Sequence, residues 1–120
     1  MGERVIMSRE ILFKAKRIDN GEWVEGDLER TKYDDVIWIV DVRGEKCYRC
    51  DSDTLCQYTG LTDKNGKKIW ENDLLGHKLN RVEFLNGTYC INGDRSLFFE
   101  ANTNEVIGNI FDNQEMLEVE

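Results

Sequence analysis

The cysteines are the residues of this chain with the clearest capacity for metal or redox chemistry. Cys47 and Cys50 form a Cys-x-x-Cys motif within GEKCYRCDSD, and Cys56 and Cys90 follow at wider spacings. A redox motif needs a helix N-terminus to lower the thiol pKa, but this run is typical of a strand, where residues three apart face opposite sides. A zinc site would normally add a second closely spaced pair of ligands. The pattern leaves Cys47 and Cys50 as candidate metal ligands, beside the alternative that all four cysteines are reduced, partly buried thiols.

Nucleophilic or acid–base catalysis would depend on His77, the single histidine, or on paired carboxylates. None of the three serines lies in a Gly-x-Ser-x-Gly elbow that could accompany His77. Glu71 and Asp73 are spaced to share one strand face, and such proximity raises a pKa, although acidic pairs in so acidic a chain are mostly solvated. No set of residues points to a reaction, so we expect a protein that is not an enzyme and needs no cofactor.

One local group of residues combines positive charge with an aromatic ring. Lys64, Lys67 and Lys68 precede Trp70 in the run TDKNGKKIW. Lysines beside an aromatic ring are suited to a nucleic-acid backbone and its bases. The alternative is that lysines at a hairpin tip protect a strand edge. The formal charge of −8, from 24 acidic and 16 basic residues, repels phosphate and disfavours general binding to nucleic acid or to an anionic membrane.

The apolar segments are too short for a membrane span. The longest continuous run, Val36 to Val40, has five residues, and the N-terminal stretch MGERVIMSRE lacks the apolar centre of a signal peptide. These features predict a cytoplasmic protein without a membrane partner.

Four Asn-Gly dipeptides predict chain reversals, because both residues tolerate the positive φ of a tight hairpin turn. They are Asn20-Gly21, Asn65-Gly66, Asn86-Gly87 and Asn92-Gly93. A two-residue turn at the first would place Ile18 opposite Trp23. A tight turn at the third would place Phe84 opposite Tyr89 and Val82 opposite Ile91. The segment between the third and the fourth is too short for a comfortable strand, so we expect the fourth in a looser loop.

The other elements are also short. Residues 36–40 predict a strand covered on both faces, and residues 96–100 and 105–110 predict two more. A short C-terminal helix is predicted over residues 112–117 with an N-cap at Asn113, and a single helical turn is predicted within residues 53–58. Many short strands with frequent turns indicate a mainly β, antiparallel protein.

Three blocks of the sequence resemble the YopX protein family of bacteriophages and prophages. They are REILFKAKRIDNGEWVEGDL (9–28), QYTGLTDKNGKKIWENDLL (57–75) and EVIGNIFDNQEML (105–117). The second block, in which an acidic Glu-x-Asp follows QYTGLTDKNGKKI, is close to a signature of the family. The blocks have the family's order, which leaves residues 1–6 as an N-terminal extension.

The resemblance implies an SH3-like small barrel in the C-terminal part and self-association. We therefore expect an N-terminal β region over residues 7–52 and a barrel region with the C-terminal helix over residues 53–120, with integration into one domain as the alternative. In the second block, Tyr58, Leu61, Ile69 and Trp70 would pack a core.

The resemblance assigns no catalytic residue. The expected function is a non-enzymatic phage accessory protein of the bacterial host cytoplasm, a homo-oligomer or a module that binds a host or phage protein. The alternative is a nucleic-acid-associated factor that uses Lys64, Lys67, Lys68 and Trp70.

Overall fold

The computed structural model describes residues 10–32, 35–76 and 80–117. The described chain is mainly β and its paired strands are antiparallel, as the sequence predicts. The strands are β1 Phe13–Lys16, β2 Trp23–Arg30, β3 Ile37–Asp41, β4 Cys47–Cys50, β5 Cys56–Thr62, β6 Lys68–Trp70, β7 Asp73–Leu75, β8 Val82–Leu85, β9 Thr88–Ile91, β10 Arg95–Ser96 and β11 Val106–Asn109. One α-helical turn, α1, spans Leu97–Glu100, and 3₁₀ turns span Ser52–Thr54, Ala101–Thr103 and Gln114–Leu117.

The largest sheet has six strands in the order β4-β3-β2-β1-β5-β6. Its N-terminal part curls until β1 also meets β4. Arg17 pairs with Cys50, the Ile18 N–H donates to the Arg49 carbonyl at 3.0 Å, and the Asp51 N–H donates to the Lys16 carbonyl at 2.8 Å. Strands β1 to β4 therefore close into a small barrel-like ring, which we call the N-terminal ring.

The N-terminal ring has an apolar core of its own. Ala15, Ile37, Ile39 and Cys50 are almost fully buried in it. The expectation that the strand over residues 36–40 is covered on both faces is wrong, because Trp38 and Val40 alternate with the buried isoleucines and are only half-buried. One face of β3 points into the ring, and the other is partly open to solvent.

The reversal at Asn20-Gly21 is longer than predicted. The register places Lys16, not Ile18, opposite Trp23, and Ile18 is 53% exposed. The Ile18 N–H is used in closing the ring against Arg49, so the chain leaves the β1–β2 ladder before Ile18 and turns over four residues. The prediction considered only the two strands of this hairpin, and therefore missed that β4 binds the Ile18 N–H.

The C-terminal half is built around a second core. Two sheets, β10-β9-β8 and β11-β7, enclose this core with β6 and α1. Its buried members are Ile69, Leu75, Val82, Ile91, Leu97, Ala101 and Val106. A third cluster consists of Leu12, Cys56, Tyr58 and Trp70, with Trp23 and Phe111 packed against it. Burial of Tyr58, Ile69 and Trp70, with Leu61 packed against the C-terminal core, confirms the predicted packing role of the second sequence block.

The turn at Asn86-Gly87 has the predicted form. Asn86 and Gly87 have φ of 54° and 82°, and β8 pairs with β9 so that Phe84 is opposite Tyr89 and Val82 opposite Ile91. The expectation of a looser loop at Asn92-Gly93 is wrong. Both of its residues have positive φ and reverse the chain into β10, because a strand of four residues is long enough when it pairs on both sides.

The prediction of a strand over residues 96–100 is also wrong. Ser96 ends β10, and Leu97–Glu100 forms a helical turn that buries Leu97 and leaves Phe98 and Phe99 68% and 80% exposed. The apolar run therefore places only the side chain of Leu97 in the core. The strand over residues 105–110 is confirmed as β11.

The predicted C-terminal helix is a 3₁₀ turn, Gln114–Leu117. Asn113 precedes it, but its side-chain oxygen accepts the N–H of Asn109, behind it in the chain, at 3.1 Å. The turn predicted within residues 53–58 lies earlier, at Ser52–Thr54, because β5 begins at Cys56.

The SH3-like barrel and the division between residues 52 and 53 stay predictions. Strand β5 belongs to the barrel region as predicted, yet it pairs with β1, with Phe13 opposite Gln57 and Lys14 opposite Cys56. The N-terminal sheet therefore continues past the expected boundary.

Candidate binding groove

The predicted lysine and tryptophan site is split by the fold. Lys64 and Lys67 lie exposed in the turn between β5 and β6, whereas Trp70 is 5% exposed. The ring of Trp70 packs against Tyr58 with centroids 5.7 Å apart. The side chain of Lys68 extends over Tyr58, with Nζ 5.4 Å from the ring centroid, and lies 3.8 Å from Glu10. Trp70 is therefore placed as a core residue, without the open ring face that base stacking requires.

The cation beside Trp70 belongs to Lys14, which the sequence alone does not place near this ring. Lys14 Nζ lies 4.9 Å from the centroid of Trp70 and 4.5 Å from that of Trp23, a double cation–π contact. Alternation along β1 and the Lys16–Trp23 register place both lysines on the face that carries these rings. The spacing of Lys14 and Lys16 on one strand, opposite Trp23, is the sequence signal for this cation–π contact. The second ring, Trp70, is far away in the chain and gives no local signal.

Asp112 completes this lysine–tryptophan face. It accepts hydrogen bonds from the indole N–H of Trp23 at 2.8 Å and from the ammonium of Lys16. Burial raises the pKa of Asp112, but the hydrogen bonds from Lys16, Trp23 and Asn109 outweigh this and lower that pKa to about 2. These groups satisfy one another and fasten the C-terminal segment to β1 and β2.

The candidate metal ligands Cys47 and Cys50 lie on opposite faces of β4. Cys47 is exposed, and Cys50 is buried in the N-terminal ring with its thiol directed to the carbonyl of Tyr48. Burial raises the pKa of the Cys50 thiol, and burial raises that of Cys56 to about 11. Within residues 10–32, 35–76 and 80–117, no group of three or more Cys, His, Asp or Glu side chains is arranged to hold a metal ion. His77 lies outside the described residues, and a metal at Cys47 and Cys50 stays a prediction.

Glu71 and Asp73 are not the solvated pair that we expected. Asp73 is 2% exposed, and its Oδ2 accepts the Trp70 N–H at 2.8 Å. Burial raises the pKa of Asp73 to about 6. Burial also raises the pKa of Glu71, whose Oε1 accepts the Gln57 N–H at 2.7 Å. Desolvation is the main cause of both shifts, and each carboxylate is engaged by the backbone.

A groove of about 680 Å³ lies between strand β5 and the β8–β9 hairpin. Residues 57–60 form one wall, Phe84, Thr88 and Tyr89 form the other, and Glu10 lines it as well. Phe84 is 50% exposed, and its ring meets Tyr89 edge to face at 4.9 Å. Tyr89 is half-buried and packs against the C-terminal core, so the exposed ring of Phe84 is the main apolar surface on this side. The groove therefore has an apolar wall on the hairpin side and, on the β5 side, a second wall that we call the backbone wall.

The backbone wall is an incomplete strand edge. The β1 ladder ends at Gln57, and the pairing with β6 is irregular between Tyr58 and Thr62, so Gly60 has no paired residue in either described neighbour. Gly60 has φ of 86°, and a Cβ added there would meet nothing within 4 Å. A glycine inside a strand pattern often marks a bulge or a close backbone approach, which is the signal that sequence reasoning missed.

The protein is therefore mainly β and antiparallel, and its candidate site is the groove beside the incomplete edge of β5. A family model described as YopX protein matches residues 12–118, nearly the whole chain, so the protein belongs to the YopX family. No curated protein matches this chain.

Among solved structures, the chain is similar to protein EF1440 from Enterococcus faecalis. The TM-score is 0.61 at 23% sequence identity, over 92% of this chain and 100% of the other. At this identity the match shows a shared fold. No helix in the described part of the chain has the length and apolar character needed to cross a membrane.

Proposed function

We propose that the protein is a binding module of phage or prophage origin that receives an extended segment of a partner protein in the groove between β5 and the β8–β9 hairpin. The observation that carries the proposal is that Gly60, which has no ladder partner in the described strands, lines the groove opposite Phe84 and Tyr89. Strand addition uses this combination: main-chain hydrogen bonds provide affinity, and pockets for alternate side chains provide specificity.

The chemistry of the groove defines the partner segment. Apolar side chains at alternate positions would pack on Phe84 and Tyr89, while the backbone pairs with β5 near Gly60. The formal charge of −8 favours a basic segment, because opposite charge accelerates encounter and suppresses acidic competitors. We therefore assign the partner as an extended chain in which valine or threonine alternates with lysine.

The action is binding rather than catalysis, and the setting is the cytoplasm of the infected bacterium. The setting rests on the resemblance to phage and prophage proteins. The binding role is supported by the hydrogen bonds of the buried Asp73 and the half-buried Glu71 to backbone N–H groups, which give both carboxylates a structural role.

Peptide titration followed by NMR tests the proposal. A synthetic peptide of alternating valine and lysine is added to the labelled protein, and the amide signal of Gly60 is expected to move in a saturable way. Phe84→Ser should weaken binding at least about fivefold, the scale expected when an apolar anchor worth more than about 1 kcal/mol is truncated at an interface.

Phe98→Ser is the matched control, since Phe98 is an exposed phenylalanine outside the groove wall. It should leave the affinity unchanged. Equal effects of the two substitutions, or a Gly60 signal that does not respond, would refute the groove as the binding site.

Light scattering separates a foreign partner from a second copy. A dimer of the wild-type chain that Phe84→Ser converts to a monomer would show self-assembly through the groove, the homo-oligomer alternative. A dimer that persists in Phe84→Ser would mean that self-association uses another surface, which leaves the groove free for the partner segment.

A role in nucleic-acid metabolism through Lys64, Lys67 and Lys68 lacks the open tryptophan ring that would support it. A gel shift at low salt that disappears in the double variant Lys67→Glu, Lys68→Glu would revive it.

A further inference from the structure

The four Asn-Gly dipeptides share a chemical reactivity beyond their role as turns. The backbone nitrogen of glycine, unhindered by a side chain, can attack the side-chain carbonyl carbon of the preceding asparagine. A bond forms between the glycine N and the asparagine Cγ, the Cγ–Nδ2 bond breaks, and ammonia leaves with the proton from the glycine nitrogen. Water then opens the cyclic imide at either carbonyl and yields aspartate or isoaspartate. By sequence alone, the four sites are equivalent.

The fold restrains the reacting groups at Asn20. Its Oδ1 accepts the Glu22 N–H at 2.9 Å, and the Gly21 N–H donates to the Arg17 carbonyl at 2.9 Å. Both the electrophile and the nucleophile must break a hydrogen bond before they can meet.

Asn65 is restrained in a comparable way. Its side-chain amide donates to Glu105 at 3.3 Å, and the Gly66 N–H donates to the Asp63 carbonyl at 3.0 Å. The turn is also fixed from inside by the Asp63 carboxylate, which accepts the N–H of Asn65 itself at 2.8 Å.

Asn92 is held through its side chain. Its Oδ1 accepts the Arg81 N–H at 2.9 Å, and its Nδ2 donates to Asn80 at 3.2 Å. The amide therefore bridges the start of β8 and cannot rotate toward Gly93 without losing both bonds.

Asn86 differs from the other three. Among the described residues, neither its side-chain amide nor the Gly87 N–H has a hydrogen-bond partner, and both residues are exposed. A Cβ added to Gly87 would meet nothing within 4 Å, so the hairpin tip has room to twist. We infer that Asn86 is a site of spontaneous deamidation and that it reacts before the other three asparagines in the native protein.

The modification would alter one wall of the groove. Gly87 and Thr88 line that wall beside Phe84 and Tyr89. An aspartate at position 86 adds a negative charge at the tip, and an isoaspartate adds an atom to the backbone of the turn. The chemistry at Asn86 does not depend on what the groove binds, so its test is independent of the proposed function.

The test follows the four sites in one sample. The purified native chain is incubated at mildly alkaline pH, and peptide mass spectrometry with sequencing of each fragment measures the conversion of each amide to a carboxyl group. Asn86 should react at least about fivefold faster than each of the others, the factor expected when one hydrogen bond need not be broken. In concentrated urea the four rates should converge, because the restraints come from the fold.

Asn86→Gly is the control variant. Two glycines still support the turn, since both accept positive φ, but the amide is removed. The main acidic species that forms during incubation of the wild type should be absent from this variant. Faster reaction at Asn20, Asn65 or Asn92 in the native chain, or equal native rates at all four, would overturn the inference.

Discussion

The N-terminal ring and the C-terminal half are stabilised by different means. In the ring, contiguous strands close on themselves around Ala15, Ile37, Ile39 and Cys50, a core of apolar side chains and a thiol. In the C-terminal half, the two buried carboxylates of the described chain, Asp63 and Asp73, bind backbone N–H groups. We conclude that strand pairing and apolar burial account for the ring, whereas charged hydrogen bonds tie short, separated strands together in the other half.

Asp63 shows how such a carboxylate replaces regular pairing. Its Oδ1 accepts the N–H groups of Asn65 and Lys67, and its Oδ2 accepts that of Val106, 43 residues later. One side chain therefore closes the β5–β6 turn and attaches β11 to it. Because these hydrogen bonds require the carboxylate, we expect protonation of Asp63 to weaken the C-terminal half.

The largest expected effect is on the ring core. Ile39→Ala removes a fully buried side chain and should lower the free energy of unfolding by about 2–5 kcal/mol, from lost burial and the cavity left behind. Urea denaturation measures the change. Val42→Ala, at a position 72% exposed, is the control and should change stability little. A small loss in Ile39→Ala would mean that the ring is not a packed core.

Close strand packing in the ring is tested next at Gly26. A Cβ at this position would overlap the carbonyl oxygen of Val40, so Gly26→Ala forces β2 and β3 apart. We expect a loss of about 1–3 kcal/mol in the free energy of unfolding, as for other overpacked sites. Glu25→Ala, at the exposed neighbouring position, should be nearly neutral. A neutral effect of Gly26→Ala would show that β2 and β3 do not approach closely at this position.

Loss of the Asp63 carboxylate should destabilise the C-terminal half. Asp63→Ala leaves the buried Val106 N–H without its acceptor, a loss of about 1–3 kcal/mol. Hydrogen exchange should show faster exchange at Val106 than at the ring amide of Ile39. Asp53→Ala, an exposed carboxylate before β5, is the control. Equal exchange changes in both halves would argue against two separately stabilised regions.

The pH dependence of Asp63 has a definite sign. Burial raises the pKa of Asp63, but the hydrogen bonds from Val106, Lys67 and Asn65 outweigh this, so the net shift is downward. The unfolded chain then binds the proton more tightly than the native one. The stabilisation from Asp63 is present above the unfolded pKa and is lost as the pH falls through the lower native value. Asp63→Ala should remove this acid-sensitive part of the stability curve.

The pH effect at Asp73 has the opposite sign. Its native pKa is raised by burial to about 6, so between the unfolded value near 3.8 and that pH the native state holds more protons. Stability therefore falls as the pH rises through this window and stays lower above it. Asp73→Asn should flatten this part of the curve, because the amide does not bind a proton in this window. The amide oxygen can still accept the Trp70 N–H, so the structure is kept. Thermal melts across the window measure it, and an unchanged slope would contradict the assignment.

Local patterns were sufficient for much of the fold. The continuous apolar and largely β-branched run of residues 36–40 predicted β3, and Asn86-Gly87 predicted both the turn and the register of β8 with β9. Resemblance to the YopX family was also readable, because its motifs are continuous in the chain. The candidate site was harder to predict. Lys64, Lys67 and Lys68 are close to Trp70 in the sequence, but the fold buries the ring of Trp70.

The amino-acid sequence by itself determined the strand class, most reversals and the family, because turn preference and side-chain alternation act over a few residues. Only the tertiary structure decided that Ile18 leaves its hairpin, that α1 replaces a strand, and that Gly60 faces Phe84 across a groove. In each case the deciding contact joins segments far apart in the chain. Such contacts depend on which strand edges and buried sites remain available after the others have packed, and no short stretch of sequence carries that information.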